Sequence, residues 1–131
     1  MPPIPSVIRQ GEIYFCEPDP KDTCGREIEK DRPWVVLSIP RLNRGSCVVC
    51  LPLSRHIEKK MAHLILVPKA EITMEDGNPS VDRVALTDQI RALDKGRFRT
   101  KAGYVSQRAV TSILLGLDYL FGNAPLPPLS N

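Results

Sequence analysis

A chain of 131 residues and 14.6 kDa, with 18 Lys+Arg against 15 Asp+Glu and a formal charge of +3, has room for one domain and little for a second. The composition is ordinary for a globular protein (42% apolar, 25% charged), while only 5% aromatic residues argues against an RNA-binding sheet built on several stacked rings. No apolar run approaches the ~20 residues of a membrane helix, and the Pro-rich first ten residues lack the apolar core of a secretory signal, so the cytoplasm is the default location.

Taken in chain order, residues 11–16 predict a short strand with Ile13 and Phe15 on one face. A long polar loop follows over residues 17–31, of a length that is usually functional or mobile. Residues 34–39 are almost continuously apolar, which predicts a strand buried on both faces. Residues 40–45 turn the chain into a third strand, 47–53, so that the two form a hairpin. A basic connection over 54–60 leads to a fourth strand at 62–67, and Asp76-Gly77-Asn78-Pro79 is a turn. Residues 83–86 predict a fifth strand, with 89–93 continuing the sheet after a bend. Ser106 can cap a helix over 107–121 that stops at Gly122, with Ala109, Val110, Ile113, Leu114, Leu117 and Leu120 at helical spacing. Five or more short strands and then one helix read as mostly β: a small antiparallel barrel with a C-terminal α-helix packed on it. Pro2, Pro3 and Pro5 at one end and Pro125, Pro127 and Pro128 at the other mark Pro-rich tails.

Four cysteines without an export signal read as reduced thiols. Cys47 and Cys50 form a C-x-x-C. In a strand, residues three apart point to opposite faces, so these sulfurs cannot share a metal, and no metal or other cofactor is expected.

Two positions can converge on chemistry. Arg32 immediately precedes a buried strand, which anchors its stem while the guanidinium faces the loop. Ser54 ends the next strand. Antiparallel pairing brings a strand's start beside its neighbour's end, so a cation and a hydroxyl meet at one rim, a pair suited to a phosphodiester. Each has a plainer reading, as a surface arginine paired with Asp31 or Glu29 and as a turn-forming serine. Of the histidines, His56 lies two residues from Ser54 and offers an acid or base, while His63 shares a face with Ile65 and Val67 and reads as structural. Basic residues cluster at Arg55, Lys59 and Lys60 and again at Lys95, Arg97, Arg99 and Lys101, and either cluster could track an RNA backbone.

Several pieces in order resemble the MazF/PemK family of toxin endoribonucleases, which includes the Kid toxin. They are Gly11-Glu12-Ile13-Tyr14, Gly25-x-Glu27, Arg32-Pro33-Trp34-Val35-Val36-Leu37-Ser38, Asn43-Arg44 and Pro52-Leu53-Ser54. Val84-Ala85-Leu86-Thr87-Asp88-Gln89-Ile90-Arg91 follows, then Leu93-Asp94 and a helix ending at Gly122. The resemblance implies an SH3-like or CcdB-like barrel over residues 9–122 between tails at 1–8 and 123–131, and a homodimer. It also implies metal-independent cleavage of single-stranded mRNA at short sequences through 2′-hydroxyl attack, leaving a 2′,3′-cyclic phosphate and a 5′-hydroxyl.

The family's arginine falls on Arg32, its threonine on Ser54 and its loop glutamate on Glu27. In the Kid branch a histidine and an aspartate fall on Arg26 and Asp88. Glu27 is then the first candidate for the base and Asp88 the second, and Asp88 reads equally well as a turn residue. Arg26, Arg55, His56, Lys59, Lys60, Gln89 and Arg91 are the candidate RNA-binding residues. Three positions depart from the family's pattern: Ile28, Arg26, which cannot act as a base, and Arg55. The resemblance also implies an acidic antitoxin whose tail occupies the basic groove. Two alternatives remain from the residues: a non-nucleolytic toxin of the same barrel that binds DNA gyrase, and a degenerate member that binds RNA or antitoxin without cleaving.

Overall fold

The computed structural model describes residues 5–17, 32–58 and 61–123. They form β1 (Glu12–Cys16), β2 (Arg32–Val36), β3 (Cys47–Ser54), β4 (Leu64–Val67), β5 (Ile72–Met74), β6 (Arg83–Leu86), β7 (Arg91–Asp94), β8 (Phe98–Val105) and α1 (Gln107–Leu120). Every pairing is antiparallel, in the order β4-β6-β3-β2-β1-β8-β5, with β7 also on β3. The mostly-β, helix-last architecture is the one expected. Among the described residues no helix is long and apolar enough to cross a membrane.

β3 organises the sheet. One edge pairs with β2 from Trp34↔Pro52 to Val36↔Cys50. The other edge pairs with β7 near its start and with β6 at Leu53 and Ser54. Because side chains alternate along a strand, the sheet carries two cores. Ile13, Val35, Leu51, Leu53 and Ala85 lie under α1, where Val110 and Ile113 cover them. Tyr14, Cys16, Val36, Val48 and Cys50 face the other way and close with Leu93 and Phe98, while Trp34 packs alongside. The Tyr14 and Phe98 rings sit 5.0 Å apart.

Ser106 caps α1 as expected, its hydroxyl accepting from the Ala109 N–H at 3.1 Å. The helix proper stops at Leu120, one residue earlier than expected, with Phe121 as its C-cap and Gly122 at φ +76°. Gly116 lets α1 lie against β4: a Cβ there would come within 2.5 Å of Ile65 Cγ1.

Three local expectations change. β2 ends at Val36, short of Ile39, because side-chain bonds take over from the ladder. Ser38 Oγ donates to Asn43 Oδ1, and Asn43 Nδ2 donates to the Ile8 and Ser38 carbonyls, both at 2.9 Å. β4 begins at Leu64, so His63 precedes the strand, and its carbonyl accepts the Thr87 hydroxyl. β8 was hidden because its core positions are interleaved with Arg99, Lys101 and Gly103 and its pairing with β1 shifts register. Gly103 is required there, since a Cβ would fall 2.0 Å from the Thr73 carbonyl of β5. Within β8, two members of the second basic cluster, Arg99 and Lys101, are engaged by carboxylates. Lys101 Nζ lies 3.0 Å from both Glu12 Oε2 and Glu75 Oε1, and Arg99 Nη2 lies 3.2 Å from Glu17 Oε1.

Candidate active site

The β2–β3 ladder has its last paired rung at Trp34↔Pro52. Continuing the register by two residues sets Arg32 opposite Ser54, with main chains roughly 5 Å apart. Both belong to the even-numbered face shared with Trp34, Cys50 and Pro52, so their side chains leave the sheet in the same direction. Both are half-buried. Strand geometry alone therefore brings together the cation and the hydroxyl of the hairpin.

Among the described residues, neither group has its donors taken up. The main chain of Arg32 pairs with Cys16 of β1, and no described residue bonds or pairs with its guanidinium. The Ser54 oxygen accepts from the His56 N–H at 3.0 Å, which holds the side chain at the turn and leaves its own proton available to a ligand. His56 itself is well exposed, with Nδ1 3.4 Å from Glu58 Oε1. A phosphodiester seated here would meet two parallel N–H donors from Arg32 and an O–H donor from Ser54.

The other expected residues are placed differently. Asp88 sits in a 3-10 turn, Thr87–Gln89, that bulges where β6 leaves β3 after Ala85 and before β7 joins at Arg91. Its Oδ2 lies 3.6 Å from His63 Nε2. Two strand spacings across and about three residues along separate it from Arg32, roughly 14 Å between main chains. Gln89 is exposed on the same turn. Arg91 shares the face of Ser54 but pairs with Cys50, about 13 Å down β3. Glu27, Arg26, Lys59 and Lys60 lie outside the described residues. Burial pushes the Cys50 thiol up to about 12, against the pull of Arg97 and Arg91, so this thiol stays protonated near neutral pH. Cys47 is exposed and Cys50 buried, on opposite faces, and no cluster of metal-ligating side chains occurs among the described residues.

One basic residue at this rim had no expected role. Leu53↔Ala85 and Ser54↔Val84, continued by one residue, set Arg55 opposite Arg83 at the start of β6. Arg83 reads in the sequence as the first residue of an ordinary strand. Only its pairing with the end of β3 brings it beside Ser54.

A family model described as PemK-like, MazF-like toxin of type II toxin–antitoxin system matches residues 9–121. The endoribonuclease MazF of Staphylococcus saprophyticus is 26% identical over 118 residues, covering 88% of this chain and 92% of that protein. Crystal-form I of MazF from Deinococcus radiodurans superposes with a TM-score of 0.68 at 21% identity, covering 88% of this chain and 97% of that one. A mycobacterial endoribonuclease in complex with its cognate antitoxin superposes with a TM-score of 0.64 at 20% identity, covering 92% of this chain and 100% of that one.

Proposed function

This chain belongs to the PemK-like, MazF-like toxins of type II toxin–antitoxin systems, and from that premise we propose that it is an endoribonuclease cutting single-stranded RNA at the Arg32–Ser54 pair. What supports the proposal is the register of the β2–β3 hairpin, which, carried two residues past its last rung, sets Arg32 and Ser54 opposite each other on one face, with no described residue paired to the Arg32 guanidinium.

The chemistry follows from what the pair can stabilise. The ribose 2′-oxygen attacks the adjacent phosphorus and gives up its proton to a base. The P–O5′ bond breaks, and the leaving oxygen takes up a proton. The products are a 2′,3′-cyclic phosphate and a 5′-hydroxyl, with no water and no metal consumed. Arg32 neutralises charge gathering on the nonbridging oxygens, and Ser54 orients one of them. Glu27 is the preferred base, because roughly 14 Å of sheet separates Asp88 from Arg32. Asp88, held by His63, then serves the RNA path rather than the scissile bond. The sequence specificity follows from the loops that flank the pair. The chain works as a homodimer, and a cognate acidic antitoxin neutralises it by occupying the same basic rim.

The test is incubation of the purified chain with mixed RNA in excess chelator. Cleavage to cyclic-phosphate ends, lowered by about 10²–10³-fold in Arg32→Ala and by about tenfold in Ser54→Ala, is the expected result. No cleavage by the unaltered chain, or cleavage at the unaltered rate in both variants, overturns the reading.

A further inference from the structure

Arginines in a fold are usually neutralised by a carboxylate or lie fully in water. Arg83 does neither. It is half-buried at the first position of β6, paired in register with Val67, so its stem lies over the open end of the core beneath α1. No described residue gives its guanidinium a hydrogen bond or an ion pair. The carboxylate that acts on it from nearby is Asp76, and Asp76 is committed elsewhere. Its Oδ1 accepts from the Asn78 N–H and its Oδ2 from Asn78 Nδ2, both at 3.0 Å, closing the turn between β5 and β6.

The neighbour Arg83 does have is another cation. Arg55 follows Ser54 and faces Arg83 across the β3–β6 register. Arg55 is exposed, and no described residue gives its guanidinium a hydrogen bond or an ion pair. Burial lowers the Arg83 pKa, and the charge of Arg55 lowers it further. Two like charges held side by side, one of them half-desolvated, cost free energy that an anion between them would recover. Arg32 and Ser54 leave one face of the sheet. Arg55 and Arg83, displaced by one residue, leave the other at the same rim. A chain of phosphates crossing that rim would pass from the first pair to the second.

We propose that Arg55 and Arg83 form a second phosphate subsite, which grips an RNA backbone phosphate next to the one cleaved at Arg32 and Ser54. The subsite rests on the cleavage reading above. It is blind to base identity, so it supplies affinity and register rather than sequence choice.

The test is binding of a mixed-sequence 2′-O-methyl RNA oligonucleotide, which has no free 2′-hydroxyl and cannot be cut. The slope of log affinity against log salt should fall by about 0.7 in the Arg55→Gln/Arg83→Gln double variant, one single-strand phosphate contact fewer. Arg55→Gln alone, at an exposed position, should weaken binding several-fold, and Arg83→Lys should keep most of the slope. On ordinary RNA, Arg55→Gln should raise KM more than it lowers kcat. A slope equal to that of the unaltered chain in the folded Arg55→Gln and double variants overturns the subsite. So does an unchanged RNA slope together with lost binding of a poly-glutamate peptide, which would assign the pair to an acidic peptide instead. Failure of the unaltered chain to cut ordinary RNA would remove the cleavage reading separately, because the binding measurement does not depend on cleavage.

Discussion

The two sides of this sheet hold their cations in opposite ways. Along β1 and β8, Lys101 is clamped by Glu12 and Glu75 at 3.0 Å each, and Arg99 by Glu17 at 3.2 Å. Glu12 is itself nearly buried, its Oε1 accepting from the Tyr14 hydroxyl at 2.8 Å and the Arg9 N–H at 2.7 Å. At the rim where β2 starts, β3 ends and β6 starts, Arg32, Arg55 and Arg83 carry the same charge with no such partner among the described residues. The first arrangement spends cations on holding strands together. The second leaves donors facing outward. Net charge does not separate the two, and partner geometry does.

The contrast can be broken by substitutions that should behave differently on each side. Arg32→Ala should lower the cleavage rate by about 10²–10³-fold while leaving the thermal midpoint nearly where it was. A matching loss of stability would place Arg32 with the structural cations instead. Lys101→Met should do the reverse. Stranding the Glu12 carboxylate should cost roughly 2–3 kcal/mol in denaturant unfolding, less than a fully buried pair because Lys101 is partly open to water. Its RNA salt slope should match that of the unaltered chain.

The same lysine supplies a pH signature. Burial lowers its pKa, but the hydrogen bonds it donates to Glu75 and Glu12, with their negative charge, outweigh that, and the net shift is upward. A raised folded pKa means its stabilisation is complete below the unfolded value of about 10.4. That contribution is lost as pH climbs through the folded value. Alkaline melts of the unaltered chain should therefore lose stability that Lys101→Met does not lose.

Ser54→Ala should slow cleavage by about tenfold, the size of one charge-assisted hydrogen bond, and Ser54→Thr should restore most of it. The smallest effect belongs to Arg99→Gln. Its pair with Glu17 is half-exposed, so less than about 1 kcal/mol of stability should go, with RNA affinity unmoved.

What could be read ahead of the structure was local. The hairpin places Arg32 against Ser54 because the two strands are joined by a short turn, and antiparallel pairing of sequence neighbours leaves few alternatives. The helix was equally plain in its Ser106 cap and its apolar spacing. Asp88 was legible as a residue but not as a position. The bulge between β6 and β7 carries it away from the pair and onto His63. Arg83 was invisible for the opposite reason. Nothing in residues 83–86 signals a site until β6 docks on the end of β3, some thirty positions earlier in the chain. β8 looked like a basic run because its core residue Ala102 is small and the next position is Gly103, where β5 approaches too closely for a side chain.

Residue order alone settled the class of fold, the hairpin and the helix that closes on it, since alternation, turns and caps act over a few neighbours. Which charges are neutralised and which stay available was decided by tertiary pairing. An ion pair needs opposite charges within about 4 Å, which β1 and β8 supply in Glu12 and Lys101, whereas β3 and β6, also apart in the chain, set Arg55 opposite the like charge of Arg83.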